Sequence, residues 1–277
     1  MYREKLCLGL MGELGDAVEQ VQLFAETGFE GFFSGMQPET LPKLHTAANE
    51  TGLAFQSIHA PFTKMDAMWY EDDRTAAAIE ELEATVMACA EYNVPIAVMH
   101  TFIGFERHSP TQLGIDTFGR VVDLAGKLGV KVAFENTEGI EYLYALMDAF
   151  RDEKHVGFCW DTGHEMCYNY SKDMPALYGD RLFCTHLNDN LGIKDHGGVI
   201  TWIDDLHLLP FDGIADWSGI AARLDRHGYS DFLTFELTTG SKPGRHENDA
   251  YARMSPREYV TEAYKRACKV AALRRHD

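Results

Sequence analysis

Six ionisable side chains stand at the carboxyl ends of short apolar runs in this sequence. They are His59, His100, Glu135, Asp161, His186 and Glu236. Carboxylates and imidazoles bind divalent ions and carry protons in catalysis. About one strand-and-helix unit of sequence separates most consecutive members. We therefore expect them to be neighbours around the rim of a barrel rather than along one helix.

Three of these side chains are carboxylates that would share one small space. Carboxylates held together raise one another's pKa unless a cation joins them. Glu135, Asp161 and Glu236, with the imidazole of His186, therefore predict one bound divalent ion. This donor set favours Mn²⁺, with Mg²⁺ and Co²⁺ as alternatives, and it leaves Zn²⁺ open.

A second group of polar residues follows the same runs. His164 comes three residues after Asp161, Asp205 and His207 form an Asp-x-His pair, and Asp189 follows His186 closely. These residues predict further metal ligands, hydrogen bonds to a substrate, or side chains that orient the ligands. We expect histidines on predicted helices and loops at the surface, namely His45, His108, His155, His227, His246 and His276.

The elements that must position these residues repeat one pattern. A short apolar run is followed by a longer amphipathic segment, and this pattern predicts strands buried on both faces of a parallel sheet. The eight runs are residues 5–10, 30–35, 54–61, 96–102, 131–137, 156–162, 182–190 and 231–238.

Amphipathic segments lie between these runs and read as helices. They include residues 16–27, 73–92, 112–128 and 255–274, the last with a Ser-Pro start. Eight strands alternating with helices predict a single (β/α)₈ barrel over residues 1–277. A doubly wound sheet is the alternative architecture, but no G-x-G-x-x-G follows the first run.

The net charge of the chain indicates which classes of binding partner to expect. The chain has 25 basic and 43 acidic residues and a formal net charge of −18. Nucleic acids and anionic membranes repel such a surface, so we expect neither as a partner. The composition predicts an enzyme with a small neutral substrate and leaves a homo-oligomer open.

The sequence also suggests a compartment. No apolar run approaches the roughly 18 residues that a membrane-spanning helix needs. The six cysteines lie far apart without a C-x-x-C pair, which predicts free and mostly buried thiols. We therefore expect a cytoplasmic protein.

Several short motifs in this order resemble the xylose isomerase-like barrel superfamily. That superfamily includes sugar isomerases, ketose 3-epimerases and type IV AP endonucleases. The motifs are Ile58-His59-Ala60-Pro61, Val98-Met99-His100, Phe134-Glu135-Asn136-Thr137, Trp160-Asp161-Thr162-Gly163-His164, Thr185-His186-Leu187-Asn188-Asp189-Asn190, Asp205-Leu206-His207 and Thr234-Phe235-Glu236.

In the epimerase branch, the resemblance implies that Glu135, Asp161, His186 and Glu236 hold one ion. Glu135 and Glu236 would be the catalytic acid/base pair on opposite faces of the sugar, and Glu141 would match a substrate-binding glutamate. The predicted substrate-binding residues are His59, His100, His164, Asp205, His207 and Trp69. The aromatic residues expected to pack against the sugar are Phe33, Phe62, Trp69 and Phe102.

The resemblance leaves alternative activities open. Residues 191–194 (LGIK) stand where ketose epimerases carry an arginine, which counts against a free ketose as substrate. The endonuclease branch matches at nine positions that would hold three zinc ions: His59, His100, Glu135, Asp161, His164, His186, Asp205, His207 and Glu236. The net charge argues against that branch, because DNA-binding enzymes carry a basic face.

We therefore expect a divalent-metal-dependent isomerase or epimerase acting on a keto sugar through an enediolate. The alternatives are a metal-dependent lyase or dehydratase on an oxidised sugar or inosose, and a type IV AP endonuclease-like zinc phosphodiesterase.

Overall fold

The computed structural model describes residues 4–106, 109–193 and 199–275. Three residues named in the sequence analysis lie outside the described residues. They are His108 and His276, which were predicted at the surface, and Lys194, the last residue of segment 191–194. The described chain alternates strands with helices. The strands are β1 (Leu6–Gly9), β2 (Gly31–Gly35), β3 (Ala54–His59), β4 (Ile96–His100), β5 (Lys131–Glu135), β6 (Val156–Asp161), β7 (Leu182–His186) and β8 (Leu233–Phe235).

The α-helices cover the outside of the sheet, with short 3-10 turns in some of the loops. They are α1 (Ala17–Thr27), α2 (Leu41–Thr51), α3 (Thr75–Glu91), α4 (Gln112–Leu128), α5 (Ile140–Ala149), α6 (Thr162–Cys167), α7 (Pro175–Tyr178), α8 (Trp217–Arg226) and α9 (Pro256–Ala271).

The strands form one parallel sheet that curls into a barrel. Their order is β7-β6-β5-β4-β3-β2-β1-β8. Leu187, just after β7, completes the ring: its N–H donates to the Thr234 carbonyl at 2.8 Å, and its own carbonyl accepts from Glu236 N at 3.2 Å. The predicted (β/α)₈ barrel is confirmed, and all carboxyl ends of the strands open on one face.

Each predicted run contains one strand, but most runs extend a few residues past the strand's end. Several of the extra residues are polar yet buried: Asn136, Thr137 and Asn188 are at most 1% exposed. They lie in loops that fold over the barrel's end and not in the ladder. The pattern of buried residues therefore overstated the strand lengths.

Local signals fixed the ends of the predicted helices. The Asp16 carboxylate accepts from Val18 N and Glu19 N at the start of α1. Ser255 and Glu258 form a reciprocal capping box at the start of α9. Gly129 ends α4 with φ 72°, a left-handed conformation that glycine adopts without steric cost.

Two apolar clusters fill the molecule. The larger lies between the helices and the outer face of the sheet. The smaller fills the inside of the barrel and consists of Ile96, Val98, Ala133, Cys159 and Cys184, with Phe183 packed against it. Because the barrel interior is packed, a substrate can enter only at an end of the barrel, where the predicted site lies.

The structure also shows where the cysteines and the predicted surface histidines lie. The six cysteines are free and all but Cys268 are buried, as expected. His246 is exposed, but His45, His155 and His227 are only half-exposed. His155 Nε2 lies 3.0 Å from the Val122 carbonyl and His227 Nδ1 lies 3.1 Å from Asp180, so both rings have structural contacts.

Across the described ranges, we find no helix with the length and apolarity required to span a bilayer.

Candidate metal centre and active site

The six strand-end residues of the sequence all lie at one end of the barrel. His59, His100, Glu135, Asp161 and His186 are the last residues of β3, β4, β5, β6 and β7, and Glu236 follows β8 directly. Strand pairing sets neighbours side by side, with His100 opposite Glu135 and Asp161 opposite His186. The barrel register therefore gathers side chains that are far apart in the sequence.

Glu135, Asp161, His186 and Glu236 converge on one point. Each offers a ligand atom, and these four atoms lie within 4.8 Å of one another. Three are carboxylate oxygens and one is an imidazole nitrogen, a hard donor set that divalent ions accept. The residues present therefore fit a divalent metal ion.

Glu135 is the centre of this cluster. Its Oε1 lies 3.0 Å from His186 Nδ1 and 3.4 Å from His164 Nδ1. Its Oε2 lies 3.1 Å from His59 Nε2 and 3.4 Å from His100 Nε2. Burial opposes ionisation of this carboxyl, but the surrounding imidazoles, His186 first, outweigh burial and hold the pKa of Glu135 well below its ordinary value.

Asp161 is held by the helix that follows it. Its Oδ1 accepts from His164 N at 2.6 Å and so caps α6, while its Oδ2 accepts from Asn188 Nδ2 at 2.9 Å. Burial is the largest influence and raises the pKa of Asp161 to about 6, although His164 and His207 oppose the rise. A cation beside this carboxylate would favour its ionised form.

Glu236 differs from Glu135 in its access to solvent. Its side chain is 25% exposed, and that of Glu135 is fully buried. Glu236 Oε2 lies 3.2 Å from His186 Nδ1. Burial alone would raise the pKa of Glu236, but the His186 imidazole outweighs it and the pKa falls to about 2. Phe33 stacks on His186, with ring centroids 4.7 Å apart, and so fixes that imidazole.

The second predicted group lies against the first. Asp205 Oδ1 is 2.9 Å from His207 Nε2 and 3.5 Å from His164 Nε2. Burial would raise the pKa of Asp205, but the two imidazoles hold it well below its ordinary value. Asp161, His164 and His207 also form a potential ligand group, as do His59, His100 and Glu135. The nine positions matched by the resemblance therefore form one connected cluster.

A cavity of about 700 Å³ opens beside this cluster. Three residues of the cluster, His59, His207 and Glu236, line it. Loops after β1, β2, β3 and β8, and the segment containing Trp202, form its walls. Its side-chain lining includes Glu13, Phe33, Gln37, Phe62, Trp202, Thr238, Ser241 and Lys242. Substrate therefore has access to the cluster from the side of Glu236.

Two of the four aromatic residues predicted to contact substrate line this cavity. Phe33 and Phe62 belong to its wall, and Phe62 stacks on His100 at 4.3 Å. Trp69 is fully buried, and its indole N–H donates to the Thr101 carbonyl at 2.7 Å. Phe102 is also buried and stacks on Tyr142 at 4.1 Å. This placement does not fit contact between substrate and Trp69 or Phe102, because both pack in the core.

Other predicted residues take structural positions. The buried Asp189 carboxylate accepts hydrogen bonds from four N–H groups, those of Asn190, Phe211 and Ala215 and the indole of Trp217. Glu141 lies half-exposed in the first turn of α5.

Several residues of the site were not predicted from the sequence. Asn136 donates to the Asp161 carbonyl at 2.8 Å and accepts from Asp161 N at 2.8 Å, which fixes the backbone that carries this ligand. Asn136 directly follows Glu135, and Asn188 comes two residues after His186. Their position in these motifs could have indicated that they belong to the site. Trp202 and Lys242 carried no such signal, because they belong to loops with no regular pattern.

The comparisons with known proteins agree with this architecture. A family model described as "Xylose isomerase-like TIM barrel" matches residues 13–261, and the chain belongs to this family. An uncharacterised protein, y4fM, from Sinorhizobium fredii is 28% identical over 222 residues, covering 68% of this chain and 67% of that protein.

Three solved structures share the fold at low sequence identity. The IolI protein, crystallised with a bound zinc atom, has a TM-score of 0.78 at 17% identity and covers 97% of this chain and 98% of its own. The 3-keto-D-glucoside 4-epimerase YcjR from E. coli has a TM-score of 0.67 at 18% identity, with coverage of 91% and 99%. The D-psicose 3-epimerase from Clostridium cellulolyticum, solved with D-tagatose, has a TM-score of 0.71 at 14% identity, with coverage of 95% and 98%.

Proposed function

We propose that this protein is a divalent-metal-dependent isomerase or epimerase of a keto sugar or sugar derivative. The observation that carries the proposal is the convergence of Glu135, Asp161, His186 and Glu236 within 4.8 Å at the end of a barrel, beside a cavity that reaches Glu236. A packed barrel does not need three carboxylates in one place, so their convergence favours a function that uses a cation.

The chemistry follows from the donor set. A divalent ion at this point would polarise a carbonyl and an adjacent hydroxyl group and make the C–H between them more acidic. Glu236 faces the cavity and removes or returns the proton there. Glu135 is the second acid/base group. Its Oε2 lies 3.1 Å from Nε2 of His59, and the His59 ring lines the cavity. Proton removal gives an enediolate, and return of the proton to either carbon or either face gives the isomerised or epimerised sugar.

The named relatives support the substrate class and the metal. One of them was crystallised with a bound zinc atom, and the other two are a 4-epimerase and a 3-epimerase that act on sugars. The oxygen-rich ligand set favours Mn²⁺ for this chain, with Mg²⁺, Co²⁺ and Zn²⁺ as alternatives. His164, His207 and Asp205 would then hydrogen-bond substrate hydroxyl groups or support the ligands.

The experiment combines metal content with proton exchange. We expect the purified protein to bind about one divalent ion per chain, and to exchange the α-proton of a keto sugar with heavy water only when that ion is present. Exchange is followed by NMR over a panel of ketoses and keto-glycosides. The control variant is Glu153→Gln, whose side chain is 53% exposed and lies outside the cluster. Exchange that is independent of metal would contradict the proposal.

The same proton abstraction also serves a lyase or dehydratase on an oxidised sugar or inosose. In that case the enediolate, or the corresponding enolate, loses a β-hydroxyl group as water and does not regain the proton at carbon. Mass spectrometry of the product distinguishes the two reactions, because elimination removes one water and isomerisation leaves the mass unchanged.

A zinc phosphodiesterase of the type IV AP endonuclease kind is the second candidate. The observation that favours it is the connected nine-residue cluster, in which Glu135 and Asp161 are shared between potential ligand groups. The cavity opposes it, because its described lining contains one lysine, Lys242, and no arginine. A phosphodiester backbone is bound mainly through several such charges.

A further inference from the structure

A subsite lies in the cavity wall next to the metal cluster, built from Trp202 and Lys242. Both residues line the cavity. Trp202 is 51% exposed, whereas the other tryptophans, Trp69, Trp160 and Trp217, are at most 3% exposed. A large aromatic ring left open toward a cavity offers a flat apolar surface to a ligand.

Contacts between two loops hold this ring in place. The Lys242 ammonium lies 5.6 Å from the centre of the Trp202 ring, within the range of a cation–π interaction. Arg245 Nη1 donates to the buried carboxylate of Asp204 at 2.8 Å, and Asn248 Nδ2 donates to the Leu206 carbonyl at 3.2 Å. The loop after β8 is therefore tied to the segment that carries Trp202, and the subsite is formed before substrate arrives.

Charge at the subsite argues for a neutral ligand. Lys242 Nζ lies 3.3 Å from Asp205 Oδ2, so its charge is already balanced by a carboxylate. The other ionisable side chains of the described lining are the carboxylic acids Glu13 and Glu236 and the imidazoles of His59 and His207. A phosphate or carboxylate on the substrate would meet no uncommitted cation in this lining.

Size points in the same direction. A cavity of about 700 Å³ falls in the ~300–1,000 Å³ range of pockets that enclose drug-sized ligands. That volume leaves room for a second ring beside a single sugar.

We propose that the substrate is an uncharged glycoside whose aglycone, a second ring, stacks on Trp202 while the keto sugar occupies the metal cluster. This inference rests on the proposed function for the reacting sugar. The recognition of the second ring depends only on the wall formed by Trp202 and Lys242.

Binding of non-reacting probes tests the subsite without turnover. The probes are phenyl β-D-glucoside, D-glucose and D-glucose 6-phosphate, each titrated by calorimetry into the Mg²⁺-loaded full chain. We expect the phenyl glucoside to bind about five- to tenfold more tightly than glucose, the usual size of an aromatic contact. It should also protect Trp202, the exposed indole among the four, from acrylamide quenching. The phosphate should bind no more tightly than glucose.

Two variants assign the effect to the ring. Trp202→Ala should abolish the preference for the phenyl glucoside and leave glucose binding unchanged. Tyr170→Ala is the matched control, since Tyr170 is 69% exposed and does not line the cavity. It should keep the preference.

Three results would overturn the inference: equal binding of the two sugars, a preference that survives Trp202→Ala, or tighter binding of the phosphate. Failure of metal-dependent proton exchange would instead contradict the proposed function and leave these binding results standing.

Discussion

Glu135 Oε1 lies 3.0 Å from His186 Nδ1, although β5 and β7 are separated in the sheet by β6. The contact therefore crosses the end of the barrel and does not follow a strand pair. On the other side of the same carboxylate, His59 Nε2 is 3.1 Å from Oε2. Glu135 thus joins β3 to β7 through the imidazoles on its two sides.

The first prediction concerns the acid/base roles of the two glutamates. Replacing Glu135 or Glu236 by Gln keeps the size and one oxygen donor but removes the base. We expect turnover to fall by ~10²–10⁴ for each, the usual contribution of a general base. Metal occupancy should be largely retained, and exchange of the substrate's α-proton with heavy water reports the loss. Native exchange rates in both metal-loaded variants would exclude these glutamates and point to His59, His100 or His164.

Metal binding should stabilise the fold. An ion that binds the folded chain alone stabilises it by about 2.7 kcal/mol at roughly 100 times its Kd. We expect a chelator to lower the unfolding temperature, and added Mn²⁺ to restore it. Asp161→Asn removes one ligand charge and should weaken this response, which calorimetry with and without Mn²⁺ would show. The control, Asp116→Asn on α4, should respond like the native chain. An unfolding temperature that changes with neither the chelator nor Mn²⁺ would contradict the presence of a metal centre.

Cleavage of DNA separates the two candidate functions. With a net charge of −18, the protein should incise a duplex containing an abasic site at a trivial rate in ~0.1 M salt. Gel electrophoresis of the labelled duplex after incubation with zinc-loaded protein measures the rate. Robust incision, lost in His100→Asn, would reverse the ranking of the two functions.

The buried Asp189 carboxylate should matter for stability rather than chemistry. It accepts four N–H donors and fixes the segment between β7 and α8. Asp189→Ala leaves those donors unpaired in the interior, at a cost of about 1–3 kcal/mol for each group that finds no water. We expect a lower midpoint in urea unfolding.

Asp180→Ala serves as the matched control for this experiment, because the Asp180 side chain is 94% exposed. That change should leave the midpoint nearly unchanged. An unaltered midpoint for Asp189→Ala would show that the four hydrogen bonds contribute little to folding.

Sequence alone determined the architecture and the strand-end residues. Short apolar runs alternating with amphipathic segments define a parallel barrel, because strands buried on both faces must be apolar throughout. The barrel then dictates that residues ending successive strands share one face. For this reason Glu135, Asp161, His186 and Glu236 could be grouped before any coordinates were known.

Only the tertiary structure decided which side chains face the cavity. Trp69 and Trp202 are both aromatic residues in loops, and nothing in their neighbours distinguishes them. The first packs against Phe118 and Tyr142 and is fully buried, while the second lines the cavity. Exposure of a loop residue depends on contacts with distant segments, such as Arg245 with Asp204, and these contacts have no periodicity that a sequence can display.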